Sequence, residues 1–438
     1  MGKKEKRQEA IYDVRQLGIP KTLLLGLQHT FAMFGATVLV PILTGLSIST
    51  TLLMAGIGTL IFHLITKGKV PAFLGSSFAF LGGYAAVAPL KDGAADPTQL
   101  AYACGGVVVA GLVYIVFAAL IKFFGAKKIM RFFPPVVTGP IIIAIGLILA
   151  PTAINNCSSN WILSLIAVAI VIACNIWGKG MVKIIPIMLG ILGSYAAALC
   201  MGAVDFTAVK EAAWVGLPIS TGGFAKFNLN AIITIVPIAL ATMMEHIGDI
   251  SAIGATTGKN YISDPGLHRT LLGDGIATSV SAIFGGPANT TYGENTGVLA
   301  LSKVYDPLVM RIAACVAILL SFSPKFAAVV SSIPTAIIGG VSLILYGMIS
   351  AVGVRNVVEN KVDFTKSRNL IVAAVILVSA LGVEYQSVYN EAGQSVINSG
   401  INFSVFGANI SLSGIAIAAI AGIVLNAVLP GKDYEFKE

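Results

Sequence analysis

Charge is scarce in this sequence. Lys, Arg, Asp and Glu make up 11% of its 438 residues, hydrophobic residues 56%, and the mean hydropathy is +0.88. A soluble domain carries roughly 25% charged residues and needs them to cover its surface. The shortage excludes a globular protein in water and makes lipid the solvent. Cysteine is sparse too. Cys104, Cys157, Cys174, Cys200 and Cys315 are scattered, with no C-x-x-C pair, and read as packing residues rather than a disulfide framework or metal site. The four histidines have no metal-ligand spacing. A Walker A loop is missing, as is a G-x-G-x-x-G turn opening a soluble βαβ unit. ATP-driven transport would need a nucleotide-binding partner chain. Nothing resembles a nucleophile–base pair, and large catalytic loops are absent. The polar start, Met1 to Gln16, does not fit a cleavable signal peptide.

What is present is a series of apolar runs near the ~20 residues that span a bilayer. They are Ile19–Leu43, Thr51–Ile65, Pro71–Ala88, Gln99–Phe123, Pro134–Ala150, Trp161–Trp177 and Ile184–Ala203 in the first half. Leu229–Ile250, Leu267–Phe284, Pro287–Val304, Pro307–Phe322, Pro334–Val354, Asn369–Val383 and Ile410–Leu429 follow in the second. The fold class expected is an all-α membrane protein of about fourteen segments. With an internal N-terminus, 24 of the 28 Lys and Arg fall inside, and only Lys91, Lys210, Lys226 and Lys325 outside. The positive-inside rule asks for such a bias, so both termini are expected in the cytoplasm. The net charge of +8 therefore reports topology and not nucleic-acid binding. Glycine, at 47 residues or about 11% against a usual ~7%, suits close helix packing and broken helices.

Two passages recur. Pro71-Ala-Phe-Leu-Gly-Ser-Ser-Phe78 parallels Pro287-Ala-Asn-Thr-Thr-Tyr292, and Phe133-Pro-Pro-Val-Val-Thr-Gly-Pro140 parallels Ile333-Pro-Thr-Ala-Ile-Ile-Gly-Gly340. Seven segments per half would give the halves opposite orientations, the inverted-repeat logic of secondary transporters. Chance matching of short apolar motifs is the bland alternative. The first pair breaks an apolar segment with Pro, Gly, Ser, Thr and Asn. Irregular backbone at membrane depth must be buried in protein or line a cavity. Short extended stretches are expected at about Ala72–Ser77 and Ala288–Tyr292, each leading into a half-helix whose N-terminal N–H groups face a small polar ligand.

Ionisable residues in mid-span are candidates for function. Glu245 and Asp249 are spaced i, i+4 and share a helix face. Glu294 follows the second broken element, and His29 lies in the first segment. Glu245 and Glu294 are expected to meet and accept N–H donors from a substrate. Without a fixed cation, such acids can also carry a proton across. His29 would serve equally well as hydrogen-bonding glue between helices. His246, about 100° around the helix from Glu245, and Asp274 are assigned to helix packing. His63 and His268 are assigned structural or surface roles.

At these residues the chain resembles the nucleobase–ascorbate branch of the nucleobase–cation symporters, in particular the uracil permeases. The resemblance rests on Gln28-His-Thr-Phe-Ala-Met-Phe-Gly-Ala-Thr37, Pro71 to Phe80, Glu245-His-Ile-Gly248, Asp264-Pro-Gly-Leu-His-Arg269, Asn289-Thr-Thr-Tyr-Gly-Glu-Asn-Thr-Gly297 and Gly339 to Tyr346. It implies fourteen helices in two inverted repeats, divided into a core domain (19–124 and 229–325) and a gate domain (125–203 and 326–430). The cytoplasmic segment 1–18, the extracellular connector 204–228 and the cytoplasmic tail 431–438 complete the chain. It implies a homodimer in the cell membrane, an elevator-type mechanism, proton symport, and no cofactor or metal. Carried over by motif, Glu245 and Glu294 hold the nucleobase and Phe78 and Tyr292 flank it. Backbone at Ser77, Phe78 and Gly293 contributes, and Tyr346 lies near the site. Proton coupling falls to Asp249, Glu245, Glu294 and His29. One position departs: uracil permeases have histidine where this chain has Asp249, and aspartate there resembles xanthine and urate carriers. Glu294 matches the uracil type, and the longer match favours uracil, with a xanthine or purine permease as the alternative. An anion carrier of the sulfate and bicarbonate type is disfavoured because two acids repel an anion. A channel is disfavoured because the polar residues gather at two broken elements, not along a path.

Overall fold

The computed structural model describes residues 10–90, 94–219, 221–389, 395–398, 400–405 and 408–431. Lys3, Lys4, Lys6, Arg7, Lys91, Lys432, Lys437 and most of the tail expected at 431–438 lie outside the described residues. Short connecting turns aside, the first half runs α1 (Ile19–Thr44), α2 (Ile48–Ile65), β1 (Leu74–Ser76), α3 (Leu81–Val87), α4 (Pro97–Phe124), α5 (Pro135–Ser158), α6 (Trp161–Trp177) and α7 (Pro186–Cys200). The second runs α8 (Leu229–Ile235), α9 (Ile238–Thr257), α10 (Leu267–Ile283), β2 (Asn289–Thr291), α11 (Gly293–Ser302), α12 (Leu308–Ser321), α13 (Pro324–Ser331), α14 (Thr335–Glu359), α15 (Ser367–Glu384) and α16 (Gly414–Val428). Among the described residues, seven helices are long and apolar enough to cross a membrane, counting α8 with α9. The number is eight if α12 and α13, bent by 89°, form one span. Local signals set the ends. Asp96 caps α4 by accepting from the N–H groups of Thr98 and Gln99, with Pro97 at the first helical position. Asn160 and Asn228 cap α6 and α8 in the same way, and Gly45, in the left-handed region, ends α1.

Both expected extended stretches are strands, and they pair with each other. β1 and β2 run antiparallel, with Leu74 opposite Thr291, Gly75 opposite Thr290 and Ser76 opposite Asn289. Ser77 N–H donates to the Ala288 carbonyl at 2.8 Å, and Tyr292 N–H to the Phe73 carbonyl at 3.0 Å. A two-stranded ribbon still has two open edges, which lipid depth does not tolerate. One threonine closes each edge. Thr59 of α2 accepts from Leu74 N–H at 2.9 Å, and its proton is shared between the Leu74 carbonyl at 3.1 Å and the Ala55 carbonyl of its own helix at 2.8 Å. Thr278 of α10 accepts from Asn289 N–H at 3.2 Å and donates to the Asn289 carbonyl at 3.0 Å.

The helices that carry the second repeated pair also pack together, antiparallel, so that Gly139 faces Gly353 and Gly339 faces Asn156 and Cys157. Pro135 to Pro140 opens α5, Thr335 to Gly340 opens α14, and the two helices lie side by side. Asn356 Nδ2 donates to Thr138 Oγ1 at 3.0 Å, and Ser350 Oγ to the Ile143 carbonyl at 2.9 Å. Elsewhere small residues permit contact between backbones. A Cβ on Gly111 of α4 would strike the Gly275 carbonyl of α10, and one on Gly275 the Gly111 carbonyl.

The all-α expectation needs correction beyond β1 and β2. Between α15 and α16 the chain forms two hairpins, β3 (Gln386–Tyr389) with β4 (Ser395–Asn398) and β5 (Ile401–Val405) with β6 (Ala408–Leu412). The final segment, expected from Ile410, starts as a helix at Gly414. The cause is legible afterwards: Asn402-Phe403-Ser404-Val405 and Asn409-Ile410-Ser411-Leu412 alternate with period two, a strand pattern and not a helical one. The 89° turn into α13 was not expected either.

Thr59→Val and Thr278→Val each orphan a buried N–H. Each should lower stability by about 1–3 kcal/mol, read as a fall in the melting temperature of detergent-solubilised protein, while Thr59→Ser stays near the parent. Unchanged melting in both valine variants would show that the ribbon edges are satisfied in some other way.

Candidate functional site

The site lies where the ribbon gives way to helix. A stretch that cannot remain helical through its prolines and adjacent hydroxyl residues leaves two half-helices starting inside the protein: one opens with a 3-10 turn at Phe78–Phe80 that leads into α3, and the other is α11. Their first N–H groups have no intrahelical partner, and the positive end of the helix dipole favours acceptors there. Gly293 and Glu294 form the first turn of α11, and the Glu294 carboxylate turns back onto its own backbone N–H.

α9 passes beside this turn. Asp249 Oδ2 accepts from Thr291 Oγ1 at 2.9 Å. Gly293 is close by: a Cβ there would lie 3.7 Å from Asp249 Oδ1, in ordinary contact. Glu245, one turn earlier, is close enough to Glu294 and Asp249 for their charges to interact. All three acids are partly exposed. The structure thus brings Glu245, Asp249 and Glu294 to one place. No group of His, Cys, Asp and Glu among the described residues could hold a metal ion. The cluster offers acceptors for N–H donors, beside helix N–H groups that can donate to carbonyl oxygens.

The other sequence candidates divide. Phe78 is partly exposed, and its ring meets that of buried Tyr346 edge-on, 6.5 Å between centroids. This joins the start of the first half-helix to α14. Ser77 is buried, its Oγ without a hydrogen-bond partner among the described residues. His29 is wholly buried on α1. Asn295 Nδ2 donates to the His29 carbonyl at 3.1 Å and lies 3.2 Å from His29 Nδ1. The amide nitrogen is fixed by the carbonyl it must donate to, so Nδ1 is the acceptor and the ring proton sits on Nε2. His29 therefore holds α11 against α1, one residue past Glu294.

Tyr292, the last residue before α11, is buried. Its hydroxyl donates to the Ser76 carbonyl at 3.0 Å, lies 3.1 Å from Ser76 Oγ and accepts from Thr37 Oγ1 at 3.3 Å. The ring occupies the space a side chain at Gly75 would need. These contacts brace the ribbon where it leads into α11.

Sequence reasoning missed Thr291 and Asn295 as partners, although both stand in the quoted Asn289–Gly297 motif. It also separated His246 from Asp274. The structure places His246 Nδ1 2.9 Å from Asp274 Oδ2, both side chains wholly buried. The signal was present: each is an ionisable residue in an apolar segment, and a buried one needs a partner. His63, assigned a structural role, has Nε2 2.8 Å from the Ala72 carbonyl, just ahead of β1.

Paired half-helices at a strand crossing, in a helical protein with at least seven spanning-length helices, define a multi-pass membrane transporter. The sequence profile of a family described as "Permease family" matches residues 20–388, and the chain belongs to that family, in the nucleobase–ascorbate branch. A probable uracil permease of Haemophilus influenzae is 41% identical over 419 residues, 94% of each chain. A uracil permease of Bacillus subtilis is 40% identical, covering 92% of this chain and 91% of that one. A putative pyrimidine permease of Escherichia coli is also 40% identical, covering 95% and 91%. Two solved structures share the fold at low identity. The transmembrane domain of the cyanobacterial bicarbonate transporter BicA aligns with TM-score 0.64 at 17% identity, covering 95% of this chain and 99% of that one. SLC26A9 aligns at 0.66 and 11%, covering 95% and 66%.

Thr291→Val removes the donor to Asp249 and should weaken ligand binding about threefold to tenfold, on the order of 1 kcal/mol, measured by equilibrium binding. An unchanged dissociation constant would detach Asp249 from the site.

Proposed function

We propose that this protein imports a nucleobase, uracil foremost, together with a proton. The observation that carries the proposal is the meeting of Glu245, Asp249 and Glu294 beside the first turn of α11. A pyrimidine-2,4-dione presents N–H donors alternating with carbonyl acceptors. The carboxylates match the donors, and the half-helix N–H groups match the acceptors. Phe78 supplies an apolar face, and Tyr346 stands behind it. The names of the relatives point to the same substrate class. Aspartate at 249 keeps a xanthine or other purine as the second reading. An anion substrate is disfavoured despite the fold shared with a bicarbonate transporter, since the site gathers acids and no fixed cation.

The architecture behind this function is fourteen segments in two inverted sevens, with both termini in the cytoplasm. Paired repeats that face each other, β1 with β2 and α5 with α14, support it. The core domain is 19–124 and 229–325, the gate domain 125–203 and 326–430, and 204–228 is the extracellular connector. Packing supports the division. α1, α2, α4, α10 and α12 pack among themselves, as do α5, α6, α7, α14, α15 and α16. The core moves past the gate in an elevator-type step, within a homodimer. Protonation of an acid at the site neutralises charge before the loaded core crosses, since a bare carboxylate at membrane depth is costly.

Glu245→Gln and Glu294→Gln should each abolish uptake of labelled uracil by the reconstituted protein without loss of folding; near-normal uptake in both rejects the site. Uptake should collapse with a protonophore, and indifference to it rejects proton coupling. Asp249→Asn should impair accumulation against a gradient more than equilibrium binding, and equal losses would remove Asp249 from coupling. Competition by xanthine, guanine and thymine separates the pyrimidine reading from the purine one.

A further inference from the structure

Beside its carboxylates, about 60° further round the helix on average, α9 carries a second set of polar residues that substrate binding leaves unused. Thr242 and His246 are one turn apart on it, and both are wholly buried. Tyr114 of α4 donates to Thr242 Oγ1 at 2.5 Å. His246 Nδ1 meets Asp274 Oδ2 of α10 at 2.9 Å. Phe62 of α2 stands edge-on to the imidazole, 6.2 Å between centroids. Three helices thus close around this face, and two of them hold it by polar contacts.

Apart from Thr291 on Asp249 and Tyr12 on the Thr257 carbonyl at the far end, α9 packs largely by its own apolar residues: Ile238, Ala239, Met243, Ile247 and Ile250 are buried in the core. Apolar burial is non-directional and resists rotation of a helix about its axis only weakly. Hydrogen bonds are directional, and a close polar contact between two buried side chains fixes their separation. Successive residues lie about 100° apart, so fixing Thr242 and His246 also fixes where Glu245 and Asp249 point. The magnitude matters. A side-chain tip lies ~6 Å from the helix axis, so a turn of ~20° displaces it by ~2 Å, whereas a binding constellation must be held within ~0.5 Å.

We propose that His246 and Asp274, together with Tyr114 and Thr242, form a rotational lock on α9 that aims Glu245 and Asp249 at the first turn of α11. These are positioning residues: they set substrate affinity without touching substrate. The proposal rests on the reading that Glu245 and Asp249 face the substrate.

The test is His246→Leu combined with Asp274→Leu in the full-length reconstituted protein, with Glu245→Gln alongside. Replacing both members of a buried polar pair by apolar residues of similar volume can be nearly neutral for stability. The melting temperature should therefore stay near the parent value. The KM for labelled uracil should rise about tenfold or more, with Vmax per folded molecule largely retained. Asp274→Asn keeps a neutral hydrogen-bonding group and should remain within about threefold of the parent KM. A parental KM in the double variant, with Glu245→Gln inactive, overturns the lock and leaves the site reading intact. An active Glu245→Gln protein removes the site reading and the lock with it. If the double variant fails to fold, Thr242→Val removes the other anchor without exposing a charge, and there a raised KM at unchanged melting supports the lock while an unchanged KM overturns it.

Discussion

An open backbone cannot stand in lipid, and the whole arrangement follows from how this chain satisfies one. β1 and β2 interrupt two apolar segments, and each strand supplies the hydrogen bonds the other lacks. Thr59 and Thr278 seal the outer edges from α2 and α10. Tyr292 pins the crossing through Ser76 and Thr37. Once the crossing is closed, the half-helices that end in α3 and α11 must begin within the protein, which puts helix N-termini beside the proposed site. The ribbon is thus the condition for the site and does not itself bind.

A fold shared with a bicarbonate transporter does not decide the cargo; the residues beside the half-helices do. Here they are Glu245, Asp249 and Glu294. Three acids near one point repel each other and repel an anion, but they suit N–H donors and can hold a proton. The partial positive end of α11 moderates the repulsion for Glu294. Thr291 does the same for Asp249 by donating to it. Neither supplies a full positive charge, as the proton exchange proposed for the cluster requires.

Much of this was legible in the sequence, because membrane solvation makes exceptions conspicuous. Prolines with adjacent hydroxyl residues inside apolar runs announced both broken elements, and Glu245, Asp249 and Glu294 stood out as mid-span acids. What escaped was pairing across the fold. Thr59 looks like any threonine in an apolar helix, and its bond to Leu74 depends on how α2 and β1 dock. His246 and Asp274 were each taken for packing residues, and only the meeting of α9 with α10 makes them partners. The hairpins between α15 and α16 were missed because apolar content was weighed above period: Ile410 to Leu412 is apolar enough for a helix and alternates like a strand.

The distribution of directional contacts bears on movement. The inter-element hydrogen bonds at the site join α1, α2, α9, α10 and α11 to the ribbon, through His29 and Asn295, Thr59, Thr278, Asp249 and Thr291, and Tyr292 and Ser76. Those of the other group, such as Asn356 with Thr138 and Tyr195 with Ser332, bind its own helices. Where the groups touch near the site, the contacts are of another kind. Phe78 meets Tyr346 edge-on, and Gly35 of α1 sits against Ile187 of α7. An apolar contact loses little when one smooth surface shifts past another, whereas a buried hydrogen bond broken in transit leaves a donor or acceptor unpaired at about 1–3 kcal/mol. Polar contacts within each group and apolar contacts between them are the physical condition that an elevator-type step requires. A site proposed to travel as a unit also needs its aim fixed by partners that travel with it, and Tyr114 of α4 and Asp274 of α10 belong to the same group of helices as α9.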